Sequence, residues 1–410
     1  MTGASGKPFR IRISNIIWAV CCLICCITGN AWAGSVISVC QYLLFGMLIL
    51  LIIFNRLSIK RELAAFCAGI FLTGLLCAGY NVFSGFHYFN LFVHMRQVLY
   101  FLLFAYCGYY IAYNNRDSDL IVRTIHYISL IAAYMVILQG ALQAFGIYLN
   151  RLSFFGETIF HATDTSRYFR PSAFFSEPSY FAEICLIDIF YCLFRKRNLK
   201  VVLIEAIALA LSTSALGIVF SYSLFVAWAC TQKITKKQLI DLFIKTAMIA
   251  LLLAAAVIFL SYRGDSAIIL RIQRGATIRQ RTLRAFEIFG KLDDGHKFFG
   301  IGMQNLTNYL NAYSVRLVND GADTILNKEF AQSFGYILCA LGIPGAVVFA
   351  GFLTALFCKC RGNSRFIFIL IAELCLTANL ITRLIFTIYI AAVYQMIFEG
   401  QGDSVILNEQ

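Results

Sequence analysis

Arg170-Pro-Ser-Ala-Phe-Phe-Ser-Glu-Pro-Ser-Tyr-Phe181 is the stretch around which the rest of the sequence can be ordered. It follows a polar segment and leads directly into an apolar run. Pro178 suits the first turn of a helix, where its missing N–H costs no hydrogen bond. Ser176 and Glu177 precede it, and their side-chain oxygens can cap the free amides of that turn. The stretch therefore predicts a helix that begins at a boundary between polar and apolar surroundings.

Charged and aromatic side chains gather at this boundary. Arg170 and Glu177 stand close in sequence to Tyr168 and Tyr180. As local structure, the pattern indicates a capped helix with aromatic residues at the membrane–water interface. A functional interpretation adds that Arg170 and Glu177 face a substrate, because ionisable groups at membrane depth are costly and are often kept for function.

The composition is that of a membrane protein. Of the 410 residues, 60% are hydrophobic and only 13% are charged, and the mean hydropathy is +0.76. Soluble domains carry about 25% charged residues. Apolar runs long enough to cross a bilayer recur from end to end. The sequence therefore predicts an all-α polytopic integral membrane protein, a single membrane domain over residues 1–410 with about 12 transmembrane helices.

Lysine and arginine between the apolar runs predict the orientation of the spans. Cytoplasmic ends are rich in these residues, and the basic segments are 7–12, 56–61, 195–200, 233–237 and 359–365. The apolar runs 201–230 and 366–398 are each divided into two spans, near residues 211–217 and near Thr382. The first apolar run lacks a convincing cleavage site and is interpreted as a retained span. Both termini are then cytoplasmic, and two long loops, 147–178 and 263–329, face outward.

The second long loop carries a cluster of arginines. Between residues 263 and 284 there are six arginines and one acid, Asp265. The arginines are Arg263, Arg271, Arg274, Arg279, Arg281 and Arg284, with apolar residues interleaved as in an interfacial amphipathic helix. The planar guanidinium fork suits bidentate contacts with phosphate oxygens. Two interpretations stand side by side: attachment to anionic lipid headgroups, or a site for a polyprenyl pyrophosphate.

Several other residues are candidates for packing or chemistry. The stretch 298–305 contains Gly-Ile-Gly and predicts a tight loop, and Leu341-Gly-Ile-Pro-Gly345 predicts a kink or a close helix approach. Ionisable residues inside predicted spans are Glu183, Asp188, Glu205, Glu373 and Arg383, of which the last two are expected to pair. The histidines in predicted external loops, His87, His94, His161 and His296, are interpreted as interfacial or solvent-exposed. Cys21, Cys22, Cys25 and Cys26 form a CCxxCC pattern among apolar residues, interpreted as packing rather than a metal site.

Motifs of several other classes are absent from the sequence. It contains no Walker-type phosphate loop, no HExxH, no GxSxG, no nucleic-acid-binding motif and no regular arginine array of a voltage sensor. These absences argue against an ATP-driven pump, an intramembrane zinc protease and a serine hydrolase. No metal, cofactor or nucleic-acid partner is predicted.

Two features together resemble the O-antigen polymerase (Wzy-like) family of bacterial inner membranes. One is the arginine–aromatic stretch with Ser-Glu-Pro-Ser-Tyr, residues 170–180, ahead of a span. The other is an arginine-rich second external loop with a Gly-Ile-Gly element, followed by a span with Leu-Gly-Ile-Pro-Gly. At the residue level the resemblance covers 170–181, 211–217 and 279–345. The related O-antigen ligases carry a histidine about eleven residues before the glycine pair; here that position, near Ala331, has none, which favours the polymerases.

The resemblance implies that a glycan held on undecaprenyl pyrophosphate is transferred to another lipid-linked repeat unit at the periplasmic face. Glu177 and Arg170 are then the expected catalytic residues, Glu177 as general base or as the residue that orients Arg170. Tyr180 and the arginines are expected to bind substrate, namely Arg271, Arg274, Arg279, Arg281 and Arg284. Expected partners are the undecaprenyl-pyrophosphate-linked donor and acceptor, membrane lipids and a chain-length regulator protein. The alternatives are an O-antigen ligase acting on lipid A-core, a flippase for lipid-linked oligosaccharide and a non-catalytic scaffold.

Overall fold

A computed structural model shows a bundle of apolar helices and describes residues 13–27, 39, 42–43, 46, 59–145, 171–175, 177–212, 214–232, 282–313 and 331–407. Within these ranges the chain forms α-helices and no strand. They are α1 (Ile13–Ile27), α2 (Arg61–Phe83), α3 (Leu91–Asn114), α4 (Leu120–Ala144), α5 (Pro178–Tyr191), α6 (Leu199–Leu211), α7 (Ala215–Thr231), α8 (Arg284–Lys291), α9 (Asp294–Phe299), α10 (Leu306–Ala312), α11 (Ser333–Lys359), α12 (Ile367–Thr377) and α13 (Ile385–Leu407). A π-helical turn, Cys192–Lys196, extends α5, and a 3₁₀ turn, Gly362–Phe366, precedes α12.

Helix α5 lies at the centre of its half of the bundle. Every residue from Phe181 to Tyr191 is buried. A helix that is apolar on all sides needs neighbours all round, and α5 packs against α4, α6, α7 and α12. A second group, α2, α3, α11 and α13, packs around the aromatic side chains of Phe66, Phe101 and Phe349.

The outer helices expose large apolar side chains, as a lipid-facing surface requires. On α2, Phe71, Leu72, Leu75 and Leu76 are all exposed. Four helices of the described ranges are long and apolar enough to cross a bilayer: Arg61–Phe83, Leu91–Asn114, Leu120–Gln143 and Ser333–Lys359. Shorter apolar helices accompany them at Ile13–Leu23, Leu216–Thr231 and Ile385–Glu399. The chain is therefore a helical, membrane-embedded protein.

The basic segments between helices meet at one end of the bundle. Three side-chain contacts join them: Lys359 to Glu62 at 2.6 Å, Arg195 to Ser364 at 2.9 Å, and Gln395 to the carbonyl of Ser118 at 3.3 Å. The other end is held by polar contacts of the second long loop. Asn81 donates to the carbonyl of Gly300 at 2.9 Å, and the N–H of Asn90 donates to Asn305 at 2.8 Å. The contacts of the basic segments and those of the second long loop thus lie at opposite ends of the bundle.

The helix boundaries confirm both divisions of the long apolar runs. The run 201–230 forms α6 and α7, which are separated by a short turn beginning at Ser212. The run 366–398 forms α12 and α13, separated by residues 378–384, which include Thr382. Helix α5 begins at Pro178 in its first turn, as predicted. The sequence also predicts spans over 36–54, of which only residues 39, 42–43 and 46 are described, and over 247–262, which lies outside the described residues. The described helices therefore support the class of fold and leave the count of 12 as a prediction.

The aromatic residues and histidines of 81–96 predict an external loop followed by a span that begins at about Gln97, and this predicted start is wrong. Helix α3 begins at Leu91, because Asn90 is its N-cap and accepts a hydrogen bond from the N–H of Val93 at 3.0 Å. His94 is consequently not in an external loop. It is fully buried, lies 2.9 Å from the carbonyl of Gly74 and accepts a hydrogen bond from the N–H of Met303 at 2.8 Å.

Candidate functional site at the start of helix α5

The start of α5 places Glu177 beside an apolar helix end. Glu177 has extended backbone geometry at the N-cap, but its side chain does not cap the helix. Its Oε2 instead accepts a hydrogen bond from the hydroxyl of Ser179 at 3.0 Å. The carboxylate is half-buried, so it faces neither the core nor open solvent completely. Such a carboxylate can accept a proton or orient a cation.

One turn further along α5, Arg383 meets both Tyr180 and Glu183. The Nη2 of Arg383 lies 2.5 Å from Oε1 of Glu183, and its guanidinium carbon lies 4.6 Å from the centre of the Tyr180 ring. The hydroxyl of Tyr389 donates to the backbone carbonyl of Glu183 at 2.6 Å. From the sequence, Arg383 was predicted to pair with Glu373. That pairing is wrong: Arg383 forms its ion pair with Glu183 of α5, and Glu373 accepts a hydrogen bond from Ser223 at 3.0 Å.

Arg383 comes from the non-helical segment 378–384 between α12 and α13, which we call the helix break. Backbone groups that leave a helix inside a bilayer must find partners in the protein. Ser333, at the start of α11, supplies them. Its hydroxyl donates to the carbonyl of Ala378 at 2.8 Å and accepts from the N–H of Leu380 at 2.8 Å.

The residue before Ser333 connects the helix break to the second long loop. Gln332 is fully buried, and its Nε2 donates to the carbonyl of Thr282 at 3.0 Å. Arg284 follows as the first residue of α8 and is 4% exposed. The start of α5, the helix break, the start of α11 and residues 282–284 at the end of the arginine cluster therefore meet at one place, although they are far apart in sequence.

Two side-chain oxygens at this place are buried without a hydrogen-bond partner among the described residues. They are Oε1 of Gln332 and Oδ1 of Asn379. Buried polar atoms are nearly always paired in folded proteins, and exceptions concentrate where a ligand or water completes the network. The two oxygens and the Glu177 carboxylate can accept hydrogen bonds from the hydroxyl groups of a polar substrate, and the Arg383 guanidinium, paired with Glu183, is the cationic group beside them.

The Gly-Ile-Gly element of the second loop docks onto the kink of α11, as the sequence predicts for a tight loop and a close approach. Gly300, Gly302 and Gly342 have φ values of 84°, 89° and 68°. The N–H of Ile301 donates to the carbonyl of Cys339 at 3.0 Å, and that of Gly302 donates to Ala340 at 2.9 Å. A Cβ at Gly342 would lie 1.9 Å from the carbonyl oxygen of Phe298, so only glycine fits.

The same loop holds an Asp–His–Tyr group that sequence analysis did not predict. The Nδ1 of His296 donates to Oδ2 of Asp293, and the Tyr309 hydroxyl donates to the same oxygen at 3.1 Å. His296 is 4% exposed, and its Nε2 has no partner among the described residues. Its solvent-exposed placement in the sequence analysis is therefore wrong. The rings of Tyr80, Phe86 and Tyr309 surround it.

Electrostatics at this group follow from its hydrogen bonds. Partial burial raises the pKa of Asp293, but hydrogen bonds from the backbone N–H and the ring of His296 outweigh it, so the net pKa lies below its usual value. Burial, followed by the negative charge of Asp293, raises the pKa of Tyr309. Asp293 is thus a carboxylate that holds the imidazole and the phenol in fixed orientations.

The site residues predicted from sequence divide into three groups. Glu177 and Tyr180 lie together at the start of α5. Arg284 lies in the arginine loop but is buried, where an exposed phosphate-binding residue was expected. Arg170, Arg271, Arg274, Arg279 and Arg281 lie outside the described residues. The contributions of Gln332, Asn379 and the Glu183–Arg383 pair were not predicted as a site, since only the folded chain brings them together.

Comparison of the chain with protein-family models, with curated proteins and with solved structures finds no match.

Proposed function

We propose that this protein polymerises undecaprenyl-pyrophosphate-linked oligosaccharide repeat units at the periplasmic face of a bacterial inner membrane. One observation carries the proposal: a half-buried carboxylate, Glu177, and a partly exposed guanidinium, Arg383, converge at the start of a buried helix, and Thr282 and Arg284 of the second long loop lie near the helix break that carries Arg383. The donor of such a reaction is anionic and lipid-linked. A cationic and carboxylate-bearing site at the end of a membrane bundle suits that substrate.

The proposed glycosyl transfer requires two kinds of side chain. As the bond between sugar and pyrophosphate breaks, negative charge builds on the pyrophosphate, and preplaced arginines stabilise that charge more in the transition state than in the ground state. Arg170 and the loop arginines are assigned this role. The acceptor hydroxyl must lose a proton, and Glu177 is assigned as its base or as the residue that orients Arg170.

Arg383 is assigned a positioning role. Its ion pair with Glu183 compensates its charge, and its guanidinium lies over Tyr180. Because Tyr180 lies within electrostatic reach of both Glu177 and Glu183, Arg383 fixes the ring next to the proposed base. A tyrosine held in this way offers a flat apolar face to a sugar ring and a hydroxyl to its polar edge.

The first experiment is a gel profile of surface polysaccharide and of the lipid-linked pool in a deletion strain. Lipid A-core carrying a single repeat unit, with no ladder, supports a polymerase. Long polymer stranded on the lipid carrier indicates a ligase. Unpolymerised units trapped on the cytoplasmic side indicate a flippase, and a normal profile indicates a scaffold or an unrelated function.

The second experiment tests Glu177 in the complemented strain. Glu177→Gln keeps the shape of the side chain, so the protein is expected to stay in the membrane at its normal level while polymer length falls strongly. Asp294→Asn is the matched control, because its side chain is fully exposed in the second loop and pairs only with Lys297 among the described residues. Normal long polymer from the Glu177→Gln strain would remove Glu177 from the mechanism.

The ligase alternative has one observation in its favour. His296 is a buried histidine in the second long loop, with an Asp partner on one nitrogen and none on the other among the described residues. The aromatic rings around it give it a packing role as well. Stranded polymer in a His296→Gln strain, with the protein present at its normal level, would favour the ligase.

A further inference from the structure

A second group of ionisable side chains lies inside the bundle, away from the start of α5. His126 of α4, Asp188 of α5 and Cys192 of the π-helical turn place their ligand atoms within 4.8 Å of one another. Among the described residues, this is the one set of three with metal-ligand spacing. We call these three the His126 cluster. Asp188 is 11 residues beyond Glu177, which corresponds to about 16 Å along a helix.

The members of the His126 cluster are buried in direct contact. Nδ1 of His126 lies 2.8 Å from Oδ2 of Asp188. The side chain of Asp188 is 2% exposed and Cys192 is fully buried, while that of His126 is 19% exposed. The imidazole therefore provides an approach to an otherwise closed site. Cys192 opens the π-helical turn, a local widening of the helix that recurs at functional sites.

Glu205 of α6 adds a second buried carboxyl group next to Asp188. It is fully buried, and its Oε1 accepts a hydrogen bond from the hydroxyl of Ser129 at 2.5 Å. Its Oε2 has no hydrogen-bond partner among the described residues. The carboxyl group interacts with that of Asp188. The carboxyl groups of Glu205 and Asp188 lie within hydrogen-bond reach of each other beside the histidine and the cysteine, so they can share a proton whose place a bound positive charge could take.

The basic residues nearby do not supply this charge. Arg123, one turn before His126, pairs with Asp119 at the surface. Lys196 acts on Cys192 but is itself exposed. Two carboxyl groups and a thiol therefore face a single imidazole in the interior. A cation bound between them would balance the charge.

The donor atoms select the class of cation. Imidazole nitrogen, thiolate sulfur and carboxylate oxygen together suit zinc and its neighbours among the transition metals, whereas magnesium and calcium require oxygen donors. Metal–ligand bonds of about 2.0–2.3 Å place tetrahedral ligand atoms about 3–4 Å apart. The His126 cluster reaches this spacing through side-chain shifts of about 1 Å, with the His126–Asp188 hydrogen bond replaced by two metal–ligand bonds.

We propose that the His126 cluster binds one divalent transition-metal ion of the zinc class. Nδ1 of His126, a carboxylate oxygen of Asp188 and Sγ of Cys192 are its ligands, and the fourth position faces Glu205. Binding releases the thiol proton to solvent, since the thiolate is the ligand. The ion links α4 to α5 and so fixes the helix that carries Glu177 and Tyr180 at its other end.

The test uses the full-length protein, purified in detergent, stripped of metal and titrated with cobalt(II). The expected result is one bound equivalent with visible absorption bands and a thiolate-to-cobalt charge-transfer band, displaced by zinc(II). Zinc is expected to raise the thermal unfolding midpoint. Cys192→Ser should remove the charge-transfer band, and Asp188→Asn should weaken binding at least tenfold. Cys107→Ser, at another buried free thiol, should change neither.

Three outcomes overturn the proposal. One is wild-type protein that elutes as a single species but shows no stoichiometric cobalt with a thiolate band. A second is a band that survives Cys192→Ser and disappears when Cys21 and Cys22 are replaced. The third is an infrared band of a protonated carboxyl group that is lost in Asp188→Asn yet persists in the wild type with saturating zinc. Because the wild type alone decides the first, a variant that fails to fold leaves the test intact.

Discussion

At the residue scale, the pair of Glu183 and Arg383 joins α5 to the helix break between α12 and α13, which is distant in sequence. The side chain of Glu183 is 3% exposed and that of Arg383 is 22% exposed. Removing one partner of a buried pair leaves an uncompensated charge, which costs about 3–5 kcal/mol. We expect Arg383→Met to lower the thermal unfolding midpoint of the purified protein strongly, with the partial exposure of Arg383 placing the loss toward the lower end of that range.

The double variant Glu183→Met with Arg383→Met is the control for this prediction. It removes both charges, so it should be more stable than Arg383→Met alone. The prediction is contradicted if the fall in unfolding midpoint of the double variant equals the sum of the falls of Glu183→Met and Arg383→Met. Glu183 and Arg383 would then not depend on each other for stability.

Asp293 gives the second long loop a pH-dependent contribution to stability. Its pKa is lowered in the folded protein, so its stabilisation is complete above the unfolded-state value of about 4 and is lost as the pH falls through the lower folded-state value. The unfolding midpoint of Asp293→Asn should therefore lie below that of the wild type at pH 6. The difference should shrink as the pH is lowered below about 4.

Asp294→Asn is the neighbouring control for this titration. Its side chain is fully exposed and it sits one position along the same helix start. The role given to Asp293 is contradicted if Asp294→Asn lowers the unfolding midpoint as much as Asp293→Asn does. It is also contradicted if the difference between Asp293→Asn and the wild type grows in acid.

Single residues were predicted from sequence where a local pattern was sufficient. Pro178 was predicted in the first turn of α5 because it lacks an N–H. The tight loop at 300–302 and the kink at 342 were predicted because glycines cluster there. The partner of Arg383 could not be predicted, because Glu183 is 200 positions away and one span offers no signal of the helix that packs against it. His296 was misplaced for the same reason: the rings that bury it come from other elements.

At the scale of elements, the kink of α11 depends on Gly342. Its φ of 68° and ψ of −169° lie where only glycine is unstrained. Gly342→Ala adds that strain to a backbone overlap with Phe298. We expect a loss of about 3 kcal/mol or more, measured as a large fall in the unfolding midpoint.

Gly351→Ala is the matched substitution in the same helix. A Cβ there meets nothing within 4 Å, and the residue lies in the regular part of α11. Alanine is favoured over glycine in a helix interior by about 0.5–1 kcal/mol, so this variant should be neutral or slightly stabilised. An equal fall in the unfolding midpoint for Gly342→Ala and Gly351→Ala would show that the kink is not essential for stability.

Helix divisions were predictable where length decided them. A run of 30 residues at 201–230 cannot be one span, and a Ser/Thr-rich turn marks its middle. The start of α3 was missed because aromatic residues and histidine suggested an interface. The residue that marks the start of α3 is Asn90, a strongly preferred N-cap residue that lies six positions before Arg96, the end of the predicted loop.

At the scale of the whole molecule, the two ends of the bundle carry different contacts. Cys230 and Cys358 are each the residue before the last one of their helices, α7 and α11, and both thiols are exposed. The charge pattern predicts that both face the cytoplasm. A membrane-impermeant maleimide should therefore modify them in inverted vesicles and spare them in intact spheroplasts, with the sites read by peptide mass spectrometry.

A Cys230→Ser, Cys358→Ser double variant identifies labelling at other thiols. Modification of Cys358 in intact spheroplasts would reverse the orientation of α11 and would place the start of α5 away from the periplasm. The proposed periplasmic reaction would then have to be abandoned.

The docking of residues 301–302 onto α11 also bears on how the chain is made. Pro344 has no N–H to offer the carbonyl of Ala340, and the loop amide of Gly302 takes that place. The ribosome completes the loop before it completes the helix, so the predicted topology, with this loop outside, requires these amides to cross the membrane before α11 enters the bilayer. Without them, the carbonyl of Cys339 would lose this partner inside an apolar bundle, and that of Ala340 would keep only the contact from the thiol of Cys77 at 3.4 Å. Substitutions that weaken this docking should therefore reduce how much protein survives quality control, while each surviving molecule works normally.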